Sequence, residues 1–349
     1  MWRGIFLYIQ PEVILEQYDI DVKTITKGRG TFVCKTSEGK KILAPFRGHM
    51  ERAGILKQYL SWINENGYPI EQICETKDGM PLSKGEDEHF YVLKDEEEGE
   101  ECDVKNRWNM IGAMKSLAYF HKVSLQTPID LPSYMVSGKE DVLEQYEKRK
   151  RELLKVRNYL KAKKKKNDFE RMFQSCYAKY MEEATESILF LSGLEIPQKV
   201  CLCHGMCSQH SFLFVGNAQR NANIDNVDSV DSVDKEALMW RLVSLEGAVG
   251  GNPIQDVANL LRKTLEKNEW NLKLGLELLD AYKEVRPLEQ KEILYLYGLL
   301  KFPEKFWKLV NHYSSSNKAW VAEKDIEKLQ EVIRLEPSRS GFLETLMLY

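Results

Sequence analysis

Residues 243–258 read Val-Ser-Leu-Glu-Gly-Ala-Val-Gly-Gly-Asn-Pro-Ile-Gln-Asp-Val-Ala. Gly251, Pro253 and Asp256 stand at fixed spacing after Ser244, without a gap. The stretch closes a segment, 198–250, that differs from its surroundings. Lys199 to Cys203 reads as a short apolar strand and Ser211 to Val215 as a second. Between them lies His204-Gly-Met-Cys-Ser-Gln-His-Ser211. From residue 254 onward the spacing turns helical.

Working outward toward the N-terminus, residues 13–96 read mostly as short strands. Val22 to Thr26, Thr31 to Lys35 and Lys41 to Phe46 are β-formers separated by the turns at 27–30 and 37–40. Ile55, Leu56, Tyr59, Leu60 and Ile63 are spaced as one face of a helix over 50–64, closed by Gly67. Phe90 to Leu93 is a continuous apolar strand that ends in an acidic run, Asp95 to Glu101, read as a hinge. Beyond it the chain is helical. Met110, Ala113, Met114, Leu117 and Phe120 make a core stripe over 106–122. Helices are expected at 140–166, ending in Lys163 to Lys166, and at 168–192. The fold class is therefore α+β, with a β-rich N-terminal lobe and hinge over residues 1–100 and a larger helical lobe over 101–349. Within the latter, residues 217–236 carry a Val-Asp-Ser repetition and are expected to form an exposed insertion. A calcium loop there lacks the glycine and terminal glutamate of an EF-hand.

The composition excludes several classes. Apolar residues make up 43% and charged residues 30%, as in an ordinary globular protein. A net charge of −3 is too small to hold nucleic acid by electrostatics. No apolar stretch reaches a membrane span, and the first residues lack the plan of a signal peptide. Neither nucleic acid nor membrane is expected as a partner, and synthesis is expected in the cytoplasm. Seven scattered cysteines point to a reducing compartment. Cys201, Cys203, His204 and Cys207 could supply zinc ligands in number. On a strand, however, Cys201 and Cys203 share one face and His204 takes the other, so no metal is expected. The lysine run reads as a solvated helix end rather than an acidic-partner surface.

Both halves of the central segment resemble the aminoglycoside and choline phosphotransferase signature. That signature is His-Gly-Asp-x-x-x-x-Asn, followed by Ile-Asp-Trp/Phe-Glu-x-Ala-x-x-Gly-Asp-Pro-x-x-Asp-Leu-Ala. The chain is further similar to CotS-type spore coat proteins at Ile25–Gly30, Tyr91–Lys94, Glu101–Arg107, Asp256–Lys263, Glu266–Trp270 and Phe302–Lys308. The resemblance covers nearly the whole chain apart from 216–240. It implies a two-lobed protein-kinase-like fold, a place in the bacterial spore coat and other coat proteins as partners.

The departures from the signature bear on function. Met206 stands where the resemblance puts the acceptor-orienting aspartate, and a thioether cannot take that proton. Ser211 stands at the metal-binding asparagine and Ser244 at the metal-binding aspartate; hydroxyls replace charged or amide oxygens poorly around Mg²⁺. The phosphate-gripping lysine falls near Ala44, and Lys40 or Lys41 reaches that place only by a register shift. Glu51 sits too early on its helix to pair with such a lysine. His204, Gly205, Glu246 and Asp256 are retained, and in this fold the first and last brace the catalytic loop. The expected function is a non-catalytic structural or interaction protein that needs no cofactor. The alternatives are an atypical kinase, with Asp225 or Asp228 as substitute metal ligand, or an ATP-binding module without turnover.

Overall fold

The structure, a computed structural model, describes residues 10–28, 30–196, 199–216, 232–315 and 323–349. The chain opens with α1 (Pro11–Leu15), β1 (Val22–Lys27), β2 (Phe32–Thr36), β3 (Gly39–Phe46), α2 (Met50–Glu65), β4 (Ser83–Lys84) and β5 (Phe90–Asp95). Then come β6 (Glu100–Glu101), α3 (Arg107–Ser124), β7 (Val136–Ser137), α4 (Lys139–Ala162) and α5 (Asp168–Gly193). The central segment holds β8 (Cys201–Cys203), β9 (Phe212–Phe214), α6 (Ser232–Ala237), β10 (Trp240–Leu242) and β11 (Val249–Gly251). Five helices finish the chain: α7 (Ile254–Lys267), α8 (Leu272–Val285), α9 (Gln290–Lys301), α10 (Glu304–Ser315) and α11 (Glu323–Leu348).

The first five strands form one sheet in the order β1-β2-β3-β5-β4. All of it precedes residue 96, and the first long helix after it starts at Arg107. Alternation decides which face each residue takes. Leu43, Leu93, Tyr91, Phe32 and Cys34 form one buried face under Ile14, Leu15 and Tyr18. On the other face Ile42 lies opposite Lys94 and Ala44 opposite Val92. Helix α3 starts where Asn106 accepts the N–H groups of Trp108 and Asn109, satisfying two of the orphan donors of a helix start. Trp240 of β10 packs against α3 where Gly112 leaves room: a Cβ there would lie 2.0 Å from the indole nitrogen.

Contacts group the chain into two compact units. One holds the described residues up to Val136 together with Val200–Asp256 and Asp280–Arg286. The other holds Ser137–Lys199, Val257–Leu279 and Pro287–Tyr349. The core of the second is aromatic: Phe173 and Tyr180 stack on Phe306, at 5.8 and 4.2 Å between centroids.

Two expectations need correction. Helix α4 stops at Ala162, so the lysine run is not its last turn. Lys163 has extended backbone, and Asn167 already caps α5 through the Glu170 N–H. Of the expected insertion, residues 217–231, with Asp225 and Asp228, lie outside the described residues. Its end is not loose: residues 232–237 form α6, and Glu236 bonds Lys115 of α3 at 2.7 Å.

Candidate functional site

The retained residues form one buried corner. Asp256, in the first turn of α7, has no solvent exposure. Its Oδ2 accepts the His204 N–H at 2.5 Å and its Oδ1 the Gly205 N–H at 2.9 Å. His121 of α3 approaches the same Oδ2 with Nε2 at 3.4 Å and meets the Tyr282 hydroxyl with Nδ1 at 2.8 Å. Burial alone would raise the Asp256 pKa; the hydrogen bond and charge of His121, with further help from His204, hold it below the ordinary value. Gly205 carries a φ of 80°, the left-handed geometry glycine adopts freely, which lets the loop turn over the carboxylate. His204 points away: Nε2 donates to the Val243 carbonyl at 3.1 Å, and the Met206 N–H donates to Nδ1 at 3.3 Å. The imidazole ties the 204–211 loop to the 243–248 segment.

Of the four departing positions, Met206, Ser211 and Ser244 lie on the two segments that His204 joins, and Ala44 lies on β3. Met206 is 74% exposed. The Ser211 hydroxyl accepts the Ser208 N–H at 3.3 Å, inside its own turn. Ser244 has φ 67° and ψ 49°, a left-handed conformation uncommon outside glycine and asparagine. Ala44 is buried against β5. Lys41 lies on the opposite face of β3 and binds Asp95 at 2.9 Å, while Lys40 pairs with Glu98 at 2.7 Å. Neither lysine occupies the Ala44 position.

Three residues that the sequence reading did not single out organise the site instead. Lys94, on the same face as Ala44, binds Glu71 at 2.8 Å and Glu246 at 2.6 Å. Glu71 accepts the backbone N–H groups of Leu245 at 2.7 Å and Ser244 at 3.1 Å. Arg52 of α2 donates to the carbonyls of Glu246 at 3.1 Å and Ala248 at 2.7 Å. Residues 244–248 are thus held by Glu71 and Arg52 on their backbone and by Lys94 on the Glu246 side chain. Lys94 and Glu71 side chains are each only 4% exposed. Desolvation would lower the lysine pKa, but the two carboxylates raise it; conversely, Lys94 holds Glu246 below the ordinary value against its own burial.

Magnesium–nucleotide, the group this fold implies, does not fit these residues. A hard dication wants carboxylate, amide or phosphate oxygens. At the three relevant positions the chain offers an exposed thioether and two hydroxyls, and the nearby Glu246 is already paired with Lys94. The cysteine cluster is no better suited. Cys201 and Cys203 lie side by side on β8, their sulfurs 3.9 Å apart, and His204 faces elsewhere. The imidazole beside them is His121, whose ligand atom lies within 4.8 Å of both sulfurs. Both its ring nitrogens already have partners in Asp256 and Tyr282. The hydrogen bond to Cys201 and burial push the Cys203 thiol well above its ordinary pKa, away from the thiolate a metal needs.

Comparison with known proteins bears on this arrangement. The model of a family described as "Spore coat putative kinase YutH" matches residues 11–220, more than half the chain. The chain belongs to this spore coat kinase-like family. It is also 27% identical to "Spore coat protein S" of Bacillus subtilis (strain 168), over 94% of this chain and 89% of that protein. Among solved structures, an aminoglycoside phosphotransferase from Alicyclobacillus acidocaldarius superposes with a TM-score of 0.77 at 18% identity, covering 97% of this chain and 96% of its own. Spectinomycin phosphotransferase, in complex with ADP and spectinomycin, gives 0.61 at 10% identity, covering 96% and 99%. At such identities the structures establish the kinase-like phosphotransferase fold that the signature implied. They do not carry over an activity.

Proposed function

We propose that this family member is non-catalytic and acts in the spore coat by protein–protein contact, with other coat proteins as its partners. The reading is carried by the Lys94–Glu71–Glu246 triad. A phosphotransferase uses its buried lysine for phosphates and its carboxylates for metal. Here the lysine is engaged by both carboxylates, and Glu71 is spent on the backbone N–H groups of Ser244 and Leu245. The Ala44, Met206, Ser211 and Ser244 positions supply nothing in exchange. Since such groups act as a unit, the loss of several leaves no partial mechanism. The coat assignment draws on the family and on the relative named for the coat.

A melting experiment with and without ATP and Mg²⁺ tests this reading. A ligand at about a hundredfold its dissociation constant stabilises the native state by about 2.7 kcal/mol. No such shift is expected. A Mg²⁺-dependent rise in melting temperature would show a working nucleotide site and overturn the reading in which the site holds no nucleotide, leaving phosphate transfer to separate a binding module from an active kinase.

A further inference from the structure

Helix α4 and the turn after it concentrate positive charge far beyond the rest of the molecule. Residues 148–166 hold eleven lysines and arginines against one acidic residue, Glu152, in a chain of net charge −3. The remainder of the chain is therefore strongly acidic. Part of this charge is spent internally. Arg149 bonds Glu304 and covers the Trp307 ring, Arg157 covers Tyr177, and Lys163 bonds Glu170. Glu152, the one acid, accepts the Trp307 indole N–H. Lys148, Arg151, Lys155, Lys161, Lys164 and Lys165 are exposed, and among the described residues none has an ion pair. Lys148, Arg151, Lys155 and Tyr159 follow one another at three and four residues, so they line one face of the helix. Leu154 and Tyr159 interrupt the charge, 41% and 69% exposed.

We propose that this outer face of α4 docks an acidic polypeptide segment of a partner protein, with apolar side chains seated on Leu154 and Tyr159. Three classes of polyanion fit a basic helix, and the surroundings choose among them. A membrane-surface helix needs a continuous apolar stripe to immerse. The stripe of α4, with Leu153 and Leu160, is instead buried against its own protein. A nucleic acid would extend its charge past the roughly 20 Å of basic helix onto an acidic molecule, which repels it. A short acidic peptide matches the length, and the exposed leucine and tyrosine give it apolar contacts that phosphates cannot use. The inference deepens the scaffold reading by naming the surface and the chemistry of the partner.

The test uses the full chain and a fluorescein-labelled peptide of about seven residues, Glu-Glu-Leu-Glu-Glu-Leu-Glu, whose extended length of roughly 23 Å covers the basic helix face. Anisotropy should show binding that weakens steeply with salt. The Arg151→Glu/Lys155→Glu and Leu154→Ser/Tyr159→Ser variants should each lose affinity about tenfold, a change of about 1.4 kcal/mol. The control Lys23→Glu/Lys27→Glu makes the same charge change on exposed β1 and should bind as the parent does. Unchanged melting temperatures show that the variants are folded. No peptide binding, equal loss in the control, or tighter binding of a DNA duplex or of phosphatidylserine vesicles would overturn the proposal. None of these outcomes bears on the nucleotide experiment, so this inference and the non-catalytic reading fail separately.

Discussion

The corner around Asp256 and the loop positions beside it have had opposite fates. Asp256, His121 and the 204–205 backbone are joined by hydrogen bonds, while Met206 stands in solvent and Ser244 is exposed; Ser211 is buried, but its hydroxyl bonds only within its own turn. In a buried corner each group satisfies another, so removing one leaves an orphan donor or charge. An exposed catalytic side chain holds up nothing, because its value lies in the substrate. On the proposed non-catalytic reading, the fold can lose the second set cheaply and the first only at the cost of folding. The Lys94 triad extends the point, since it makes the 244–248 segment part of the scaffold.

Substitutions can break this contrast. Asp256→Ala should cost most. It orphans two backbone N–H groups, and at about 1.5–3 kcal/mol for each charged hydrogen bond urea unfolding should show a loss of about 3–6 kcal/mol, before the longer His121 contact is counted. Lys94→Met should follow at about 3–5 kcal/mol, because it leaves Glu71 and Glu246 close together without a counter-charge. Lys94→Met/Glu71→Gln/Glu246→Gln, which removes the charges and keeps an amide oxygen for the Leu245 and Ser244 N–H groups, should recover part of that loss. If the single variant is neutral, the triad does not hold the segment. Met206→Asp lies at the other end, within about 0.5 kcal/mol, as for an exposed position away from packing. A large loss there would mean that the loop depends on its thioether.

The pH dependence sharpens the same comparison. Asp256 and Glu246 are held below their ordinary pKa values in the folded state. The stability they contribute is complete above the unfolded carboxylate pKa and disappears as pH falls through the folded values. Lys94 is held above its ordinary value, so its contribution is complete below the unfolded lysine pKa and disappears as pH rises through the folded one. Unfolding midpoints should fall on acidification less steeply in Glu246→Gln than in the parent. Identical slopes would remove Glu246 from the account.

Much of the fold was legible because period and spacing are local properties. The three hairpin strands, the helix over 50–64 and the motif halves stand where their residues put them, within a residue or two. The alternation on β8 correctly separated His204 from the two cysteines. The end of α4 was misread because apolar spacing continues to Leu160, while the stop depends on the capping of the next helix by Asn167. The triad was hidden for a different reason. Glu71 lies in a connection without periodicity, and it meets the Leu245 N–H and Lys94 across 174 and 23 residues of chain. His121 did leave a signal. It falls four residues after Leu117 on the apolar stripe of α3, where a polar residue requires a buried partner.

The most direct test of the central claim is transfer of radiolabelled γ-phosphate from ATP, with Mg²⁺ and then Mn²⁺, to the protein itself and to a spore coat extract. The account expects no incorporation above that of heat-denatured protein. Incorporation that survives extensive purification and disappears in Asp225→Asn or Asp228→Asn would contradict it, and would place the metal site in the 217–236 segment rather than in a motif without chemistry.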